Sequence, residues 1–445
     1  MSARATHLDR FGMLYALAVF GLTRVVTLAA AYAAPQDRTR ADAPTWWSDL
    51  PTARWDGGHY RKILLDGYPD AIDDRVAFFP GYPLLARPLA GWVDADAALL
   101  VVTLLSGAGV VAVFYGWVRR HSDARTATWS VAILACWPAT MFLSATYSEA
   151  VFLLCVAGAL ALLDRGRLFA AALLAGVATA VRPTGVILAA LVAGWSFLAL
   201  VGRPSWAVLW LGGASRRRDA DRERGSAVAD APARGVAPPA GAAGATSAVG
   251  ASIAGARLAG LVKWLAVCAV SVTGVVAFMS YLAQRYDRAD AYSLAQAGWK
   301  TSPASRPWLY ALTFRAALEP ALRPVKALVR GKLGDLAQPR TWYAAWNLAF
   351  VAAGVVGLVR PGRFPRIVFT LPILVFLMAY IPDAANGGRL VSIERYQLAA
   401  LPCFVLFAQL LLRVRGAAAR GAGLVALLAM QCVYIQRFAN WEFVG

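Results

Sequence analysis

Apolar positions in this chain come in long blocks separated by short basic loops, with no sustained alternation of the kind a half-buried strand shows. A bilayer core about 30 Å thick takes about 20 apolar residues of helix, and several blocks approach or reach that length. We read about eleven helical spans, at residues 11–33, 95–118, 126–145, 148–163, 167–182, 184–201, 258–282, 342–359, 366–381, 396–412 and 421–437. The pattern predicts an all-α polytopic membrane protein. Three longer segments interrupt the hairpin rhythm, at about 34–94, 203–257 and 283–341. The first and third mix Trp, Tyr, Phe and Pro with charges and read as ordered loops. The second has no aromatic residue between Trp210 and Trp264, opens on Arg216, Arg217 and Arg218, and becomes rich in Ala, Gly, Pro and Ser. Such a stretch buries too little apolar surface to offset its ordering entropy, so a disordered linker is expected there. The chain then divides into a membrane module at 1–202, a linker at 203–257 and a second membrane module at 258–445.

Composition agrees with this reading. Of 445 residues, 59% are hydrophobic and 16% charged, with mean hydropathy +0.54, whereas soluble domains carry about a quarter charged residues. A disulfide-rich secreted scaffold, a soluble nucleotide enzyme and a mostly disordered chain are excluded. The net charge of +19 comes from basic residues in short loops. They form no aromatic–basic stripe, so nucleic acid is not an expected partner. The positive-inside rule groups Arg4 and Arg10 with Arg119, Arg120 and Arg125, then Arg165 and Arg167, then Arg360, Arg363 and Arg366, and finally Arg413, Arg415 and Arg420. The opposite short loops hold only Arg182, Arg389 and Arg395, with Arg437 at the end of the last span. A cell-membrane protein with its N-terminus inside and its C-terminus outside follows, with both aromatic-rich loops on the outer face. The polar start runs directly into a full-length span and reads as a signal anchor. Cys136, Cys155, Cys268, Cys403 and Cys432 lie in apolar runs without metal-site spacing and read as packing residues.

The first outer loop carries Arg54-Trp55-Asp56-Gly57-Gly58-His59-Tyr60, then Gly67-Tyr68, then Ala77-Phe78-Phe79-Pro80-Gly81-Tyr82-Pro83. A carboxylate such as Asp56 in an aromatic-walled loop can take a proton from a bound hydroxyl, and His59 can orient it or act as a second acid–base group. The same pattern fits Asp56 as the cap of a helix starting at Gly57. Glu149, between two apolar runs, needs a partner or a cavity. It also fits the first turn of a helix capped by Ser148. At Arg182-Pro183-Thr184-Gly185 the helix breaks, leaving Arg182 to meet an anion, either Glu149 or a lipid phosphate. Across 318–336, Leu318, Leu322, Val325, Val329, Leu333 and Leu336 follow a helical period while Arg323, Lys326 and Arg330 share another face. That predicts an amphipathic helix in the headgroup layer. Glu394-Arg395-Tyr396 stands at the outer mouth of the tenth span, and Asp94-x-Asp96 reads as a helix cap.

In order and spacing these motifs resemble the PIG-V mannosyltransferases, which add the second mannose of GPI anchors. Trp55-Asp56-x-x-His59-Tyr60 with Gly67-Tyr68 and Ala77-Phe78-Phe79-Pro80-x-Tyr82-Pro83 looks like that family's first luminal loop. Pro138-Ala139 through Tyr147-Ser148-Glu149-Ala150-x-Phe152 resembles its second motif, and Gln296-x-x-Trp299 a later element. Arg182-Pro183-Thr184-Gly185 stands where the family has Arg-Ser-Asn-Gly, with Thr184 in place of Asn. The family's acid between Gly-Tyr and Phe-Phe-Pro is not cleanly aligned, although Asp73 and Asp74 lie nearby. The resemblance covers about the first 200 residues. It implies a GT-C glycosyltransferase, a multi-span helical bundle that takes mannose from a polyprenyl-phosphate donor on the outer face and inverts the sugar. It implies Asp56 as catalytic acid–base, and His59, three residues on, is the second catalytic candidate by its position. The substrate-binding candidates are Trp55, Tyr60, Phe79, Tyr82, Tyr147, Glu149, Arg182, Gln296, Trp299 and Arg395. No cofactor is expected, and a leaving group with one phosphate needs a metal less than a nucleotide sugar does. The expected partners are the lipid-phosphate donor and membrane lipids, with the acceptor open. The rival reading is a lipid-linked sugar flippase without catalysis. A transporter more often shows internal repeats or charges within its spans, and needs no carboxylate in an ordered outer loop. A scaffold subunit without chemistry is a third.

Overall fold

The structure, a computed structural model, describes residues 3–34, 50–200, 210–211, 245–297, 321–336, 338–360, 363–380, 393–442 and 444. Among them every regular element is helical and there is no strand. The order is α1 (Ala3–Tyr32), α2 (Asp56–Asp66), α3 (Gly81–Ala86), α4 (Ala95–His121), α5 (Ala124–Cys136), α6 (Glu149–Asp164), α7 (Leu168–Val181), α8 (Gly185–Leu200), α9 (Ala245–Ser271) and α10 (Thr273–Tyr286). There follow α11 (Ala291–Ala297), α12 (Arg323–Val329), α13 (Leu333–Leu336), α14 (Pro339–Val359), α15 (Leu371–Val375), α16 (Ile393–Gln397), α17 (Leu401–Leu411) and α18 (Ala417–Ala439). Neighbours pack in sequence as α4 on α6, α6 on α7 and α7 on α8. The chain then closes on itself, because α1 packs on α18 and α5 on α17. Buried Phe114, Trp117, Trp137, Phe350 and Phe404 form the aromatic interior.

Helix lengths among the described residues do not by themselves give the eleven expected crossings. Among the described residues four helices are long and apolar enough to cross a membrane: residues 11–32 of α1, α4, α14 and α18. Two bent pairs, α5 with Pro138–Ser144 and residues 258–271 of α9 with α10, raise the number to six. At 1.5 Å per residue, the 16-residue α8 reaches only about 24 Å. The apolar runs are long enough to span, but Pro and Gly divide them.

The expected span at 126–145 shows why. Pro138 cannot donate to a helix ladder and pushes Trp137 into extended backbone, so α5 ends at Cys136 and the chain bends by 77° into a 3₁₀ turn. The carbonyls freed at the bend lie deep in the bundle and need donors. Arg24 of α1 supplies them, donating to Ala135 O at 2.8 Å and Thr140 O at 2.5 Å. Gln431 of α18 donates to Trp137 O at 2.6 Å and accepts from Arg24 at 2.9 Å. Two distant helices, α1 and α18, thus hold one irregular turn. At the second bend, α7 and α10 approach so closely that a Cβ on Gly274 would lie 2.2 Å from Gly176 O, a packing only small residues allow.

Helix α9 begins at Ala245, upstream of the expected 258, while 203–209 and 212–244 of the linker lie outside the described residues. The amphipathic helix expected at 318–336 is two short helices, because Gly331 takes φ +66 and breaks it, and 318–320 lie outside the described residues. Asp94 accepts from Asp96 N at 2.9 Å, the cap expected of that pair. All five cysteines are free thiols, three of them buried.

Candidate active site

The site is built where three chain segments meet at one end of the bundle. The first is the start of α2. Trp55 adopts φ +53, ψ −118, a conformation that costs a residue with a Cβ about 1–3 kcal/mol. That turn makes Asp56 the first residue of α2, so Trp55, not Asp56, occupies the cap position and the helix does not start at Gly57. Freed from capping, the Asp56 carboxylate turns to a partner across the bundle. Gly57 lets α2 lie against the second segment, since a Cβ there would sit 2.4 Å from Thr146 Oγ1. Tyr147 anchors the same junction, its hydroxyl accepting from Asp56 N at 3.2 Å.

The second segment leads from the 3₁₀ turn into α6. Ser148 makes no side-chain cap bond. Its hydroxyl instead pairs with Tyr60 OH at 2.8 Å and accepts from Arg182 at 3.4 Å. Glu149 therefore stands at the head of α6 with its side chain 2% exposed. Arg182, released at the end of α7 by Pro183, forms an ion pair with it. Glu149 is one of the two anions expected for Arg182.

The third segment is α16. Arg395 donates to Asp56 Oδ2 at 2.6 Å and stands 3.5 Å from Glu149 Oε1. Two arginines and two carboxylates thus form one chain, Asp56–Arg395–Glu149–Arg182. Tyr396 lies beside both cations, 5.4 Å from Arg182 and 5.7 Å from Arg395. The two acids differ in access: the Asp56 side chain is 23% exposed, so Asp56 faces the solvent side while Glu149 is sealed. Arg395 Nε, Glu149 Oε2 and Thr184 Oγ1 are buried there with no hydrogen-bond partner among the described residues.

Other candidates fall around this chain. His59 stacks on Phe78 at 4.6 Å. Burial pulls its pKa below the ordinary value of 6.5, opposed by the nearby charges of Asp56, Asp74 and Asp73, so a neutral imidazole is favoured there. Trp55 meets the edge of Trp441 at 5.9 Å. Phe79 and Tyr82 are packing residues here: Phe79 touches Phe278 at 4.6 Å, and the fully buried Tyr82 donates to Leu99 O at 2.9 Å. Gln296 donates to Tyr292 OH at 3.2 Å, next to Phe79, and Trp299 lies outside the described residues. Asp73 caps its own turn, accepting from Arg75 N at 2.8 Å. Sequence reading missed Tyr396 as a neighbour of both cations, and also Arg24 and Gln431. The signal for Arg24 was present, a lone cation inside an apolar block.

Comparison with known proteins bears on this region. Residues 45–195 match the family model described as mannosyltransferase (PIG-V). The chain is 36% identical over 149 residues to GPI alpha-1,6-mannosyltransferase 2 of Rattus norvegicus, covering 30% of each chain. It is 35% identical over 149 residues to the same enzyme of Homo sapiens, covering 30% of this chain and 29% of that one. The match therefore spans under a third of the length of these relatives. The family-model match includes Asp56, Tyr147, Glu149 and Arg182, while Arg395 reaches the site from outside it. Over the segment that supplies three of the four charged groups of the site, the chain is similar to the PIG-V mannosyltransferases.

Proposed function

We propose that this protein is a membrane mannosyltransferase that moves mannose from a polyprenyl-phosphate donor to a lipid- or glycan-linked acceptor on the outer face, with inversion at the sugar. The observation that carries the reading is the Asp56–Arg395–Glu149–Arg182 chain, in which the one accessible carboxylate is held by a cation whose other partner is sealed. In this mechanism the donor phosphate engages Arg395, which lets go of Asp56. Asp56 then takes the proton of the acceptor hydroxyl as its oxygen attacks the anomeric carbon. The bond from that carbon to the phosphate oxygen breaks, and the lipid phosphate leaves with the electron pair. Arg395 and Arg182 face the charge that develops there, already oriented by Glu149, so little reorganisation accompanies the step. A single displacement of this kind inverts the configuration. Tyr147 and Tyr60 hold the two segments in register through Asp56 N and Ser148.

The test is transfer of labelled mannose from polyprenyl phosphate in membranes. Asp56→Asn keeps the size of the side chain and loses the base, so turnover should fall by about 100-fold or more with the protein level unchanged. Near-wild-type turnover would remove Asp56 from the mechanism. Donor-dependent movement of lipid across the bilayer with no glycosyl transfer would favour a flippase.

A further inference from the structure

Helices α12 and α13 and the first turn of α14 border an open surface cavity of about 420 Å³ that takes no part in the mechanism above. Its walls carry Arg323, Lys326, Arg330, Lys332 and Arg340, against the single acid Asp335. Arg323, Arg330, Lys332 and Arg340 make no ion pair among the described residues, so the cavity holds an excess of positive charge. The outer side of α12 is apolar and uncovered: Val325 is 56%, Leu328 61% and Val329 80% exposed. A soluble surface rarely sets such a row beside a cationic hollow.

The position of the cavity supplies the reason. Arg340 and Thr341 belong to the first turn of α14, one of the helices long enough to cross a membrane. Tyr434 of α18 donates to Pro339 O at 3.3 Å and Arg437 to Gln338 at 3.1 Å, so the ends of two spans stand level here. That end of α18 also touches Tyr147 through Phe438 at 5.6 Å, which puts the cavity at the same end of the bundle as Asp56. An apolar helix face beside cations, at the end of a span, sits where acyl chains give way to headgroup phosphates.

We infer that this cavity is a binding site for the phosphate of an acidic membrane phospholipid, separate from the Asp56 chain, with Val325, Leu328 and Val329 resting on the acyl chains. Phosphate is the recognised chemistry, and the apolar face selects the lipid-borne form over free phosphate.

The test is lipid retention by the full-length protein in donor-free nanodiscs, which reads binding without turnover. In phosphatidylcholine discs containing a minority of phosphatidylglycerol, the wild type should keep phosphatidylglycerol selectively, as seen by native mass spectrometry. The triple variant Arg323→Gln/Lys326→Gln/Arg330→Gln should lose that selectivity by at least about tenfold. The control Arg413→Gln/Arg415→Gln should keep it. If the triple variant does not fold, Arg330→Gln and Lys332→Gln, each at an exposed position, carry the test singly with smaller losses. Equal retention by wild type and folded variants overturns the site, as does equal loss in the control pair. Displacement of the retained lipid by millimolar inorganic phosphate overturns the lipid assignment.

Discussion

Glu149→Gln removes one negative charge from a buried chain of two arginines and two carboxylates while keeping the shape of the side chain. Asp56 still partners Arg395 at 2.6 Å, so the group left without a counter-ion is Arg182. Its remaining contacts are the Ser148 hydroxyl at 3.4 Å and the Tyr396 ring at 5.4 Å. Even the longer contact of Glu149, 3.5 Å to Arg395, corresponds to about 5 kcal/mol of Coulomb attraction at an effective dielectric constant of about 20. Desolvation of both ions offsets much of any such term, but removing one partner of a buried pair costs about 3–5 kcal/mol, because the other charge stays buried. The hydroxyl and the ring face offset about 1 kcal/mol of that. A net loss near 3 kcal/mol remains, a shift of more than about 100-fold toward the unfolded state. The assay is detergent unfolding of the purified protein, with the intact fraction read by size exclusion. The double variant Glu149→Gln/Arg182→Gln removes the orphaned charge and should recover at least about 1.5 kcal/mol relative to the sum of the singles. A double variant whose loss equals that sum would show that the pair is not coupled and refute the reasoning.

Three further outcomes follow from the same geometry. Arg182→Lys keeps the charge but loses the planar fork that suits carboxylate and phosphate oxygens, so KM for the lipid donor should rise more than KM for the acceptor, measured by varying each in turn. His59 has a depressed folded pKa, so the unfolded chain takes its proton more readily. Stability should therefore fall as pH drops below about 6.5 and level off below the folded value, a slope that unfolding at about pH 7.5 and about pH 5.5 should find reduced in His59→Gln. Pro183, exposed beside Arg182, should as Pro183→Cys react with an impermeant maleimide added outside, in a background lacking the five native cysteines. Labelling only from inside would reverse the proposed face of the site.

Much of the helical layout is written locally in the chain. The apolar blocks, the caps at Asp94 and Asp123, and the end of α7 before Pro183 depend on residues within a few positions of one another, and local physics is enough to read them. The candidate residues Asp56, Glu149, Arg182 and Arg395 were legible for a related reason: charges beside apolar runs must find partners, so they stand out in the sequence. Which partner each one finds was not legible. Asp56 and Arg395 lie 339 positions apart, and Arg24 and Gln431 lie 407 apart. No spacing rule connects them, and only the closure of α18 onto α1 and of α17 onto α5 brings those segments together. The tertiary structure likewise decided the roles of the polar residues that local rules left open. Ser148 and Asp56 were both open to a capping role in the sequence, yet neither side chain caps: Ser148 takes helical backbone at φ −77 and ψ −6, Trp55 holds the cap position of α2, and across the bundle each side chain meets an arginine instead. Hydropathy alone could not set the number of full-length spans for the same physical reason. A break at Pro138 is tolerable deep in the bundle only when side chains from other helices satisfy the carbonyls it frees, and those side chains come from opposite ends of the chain.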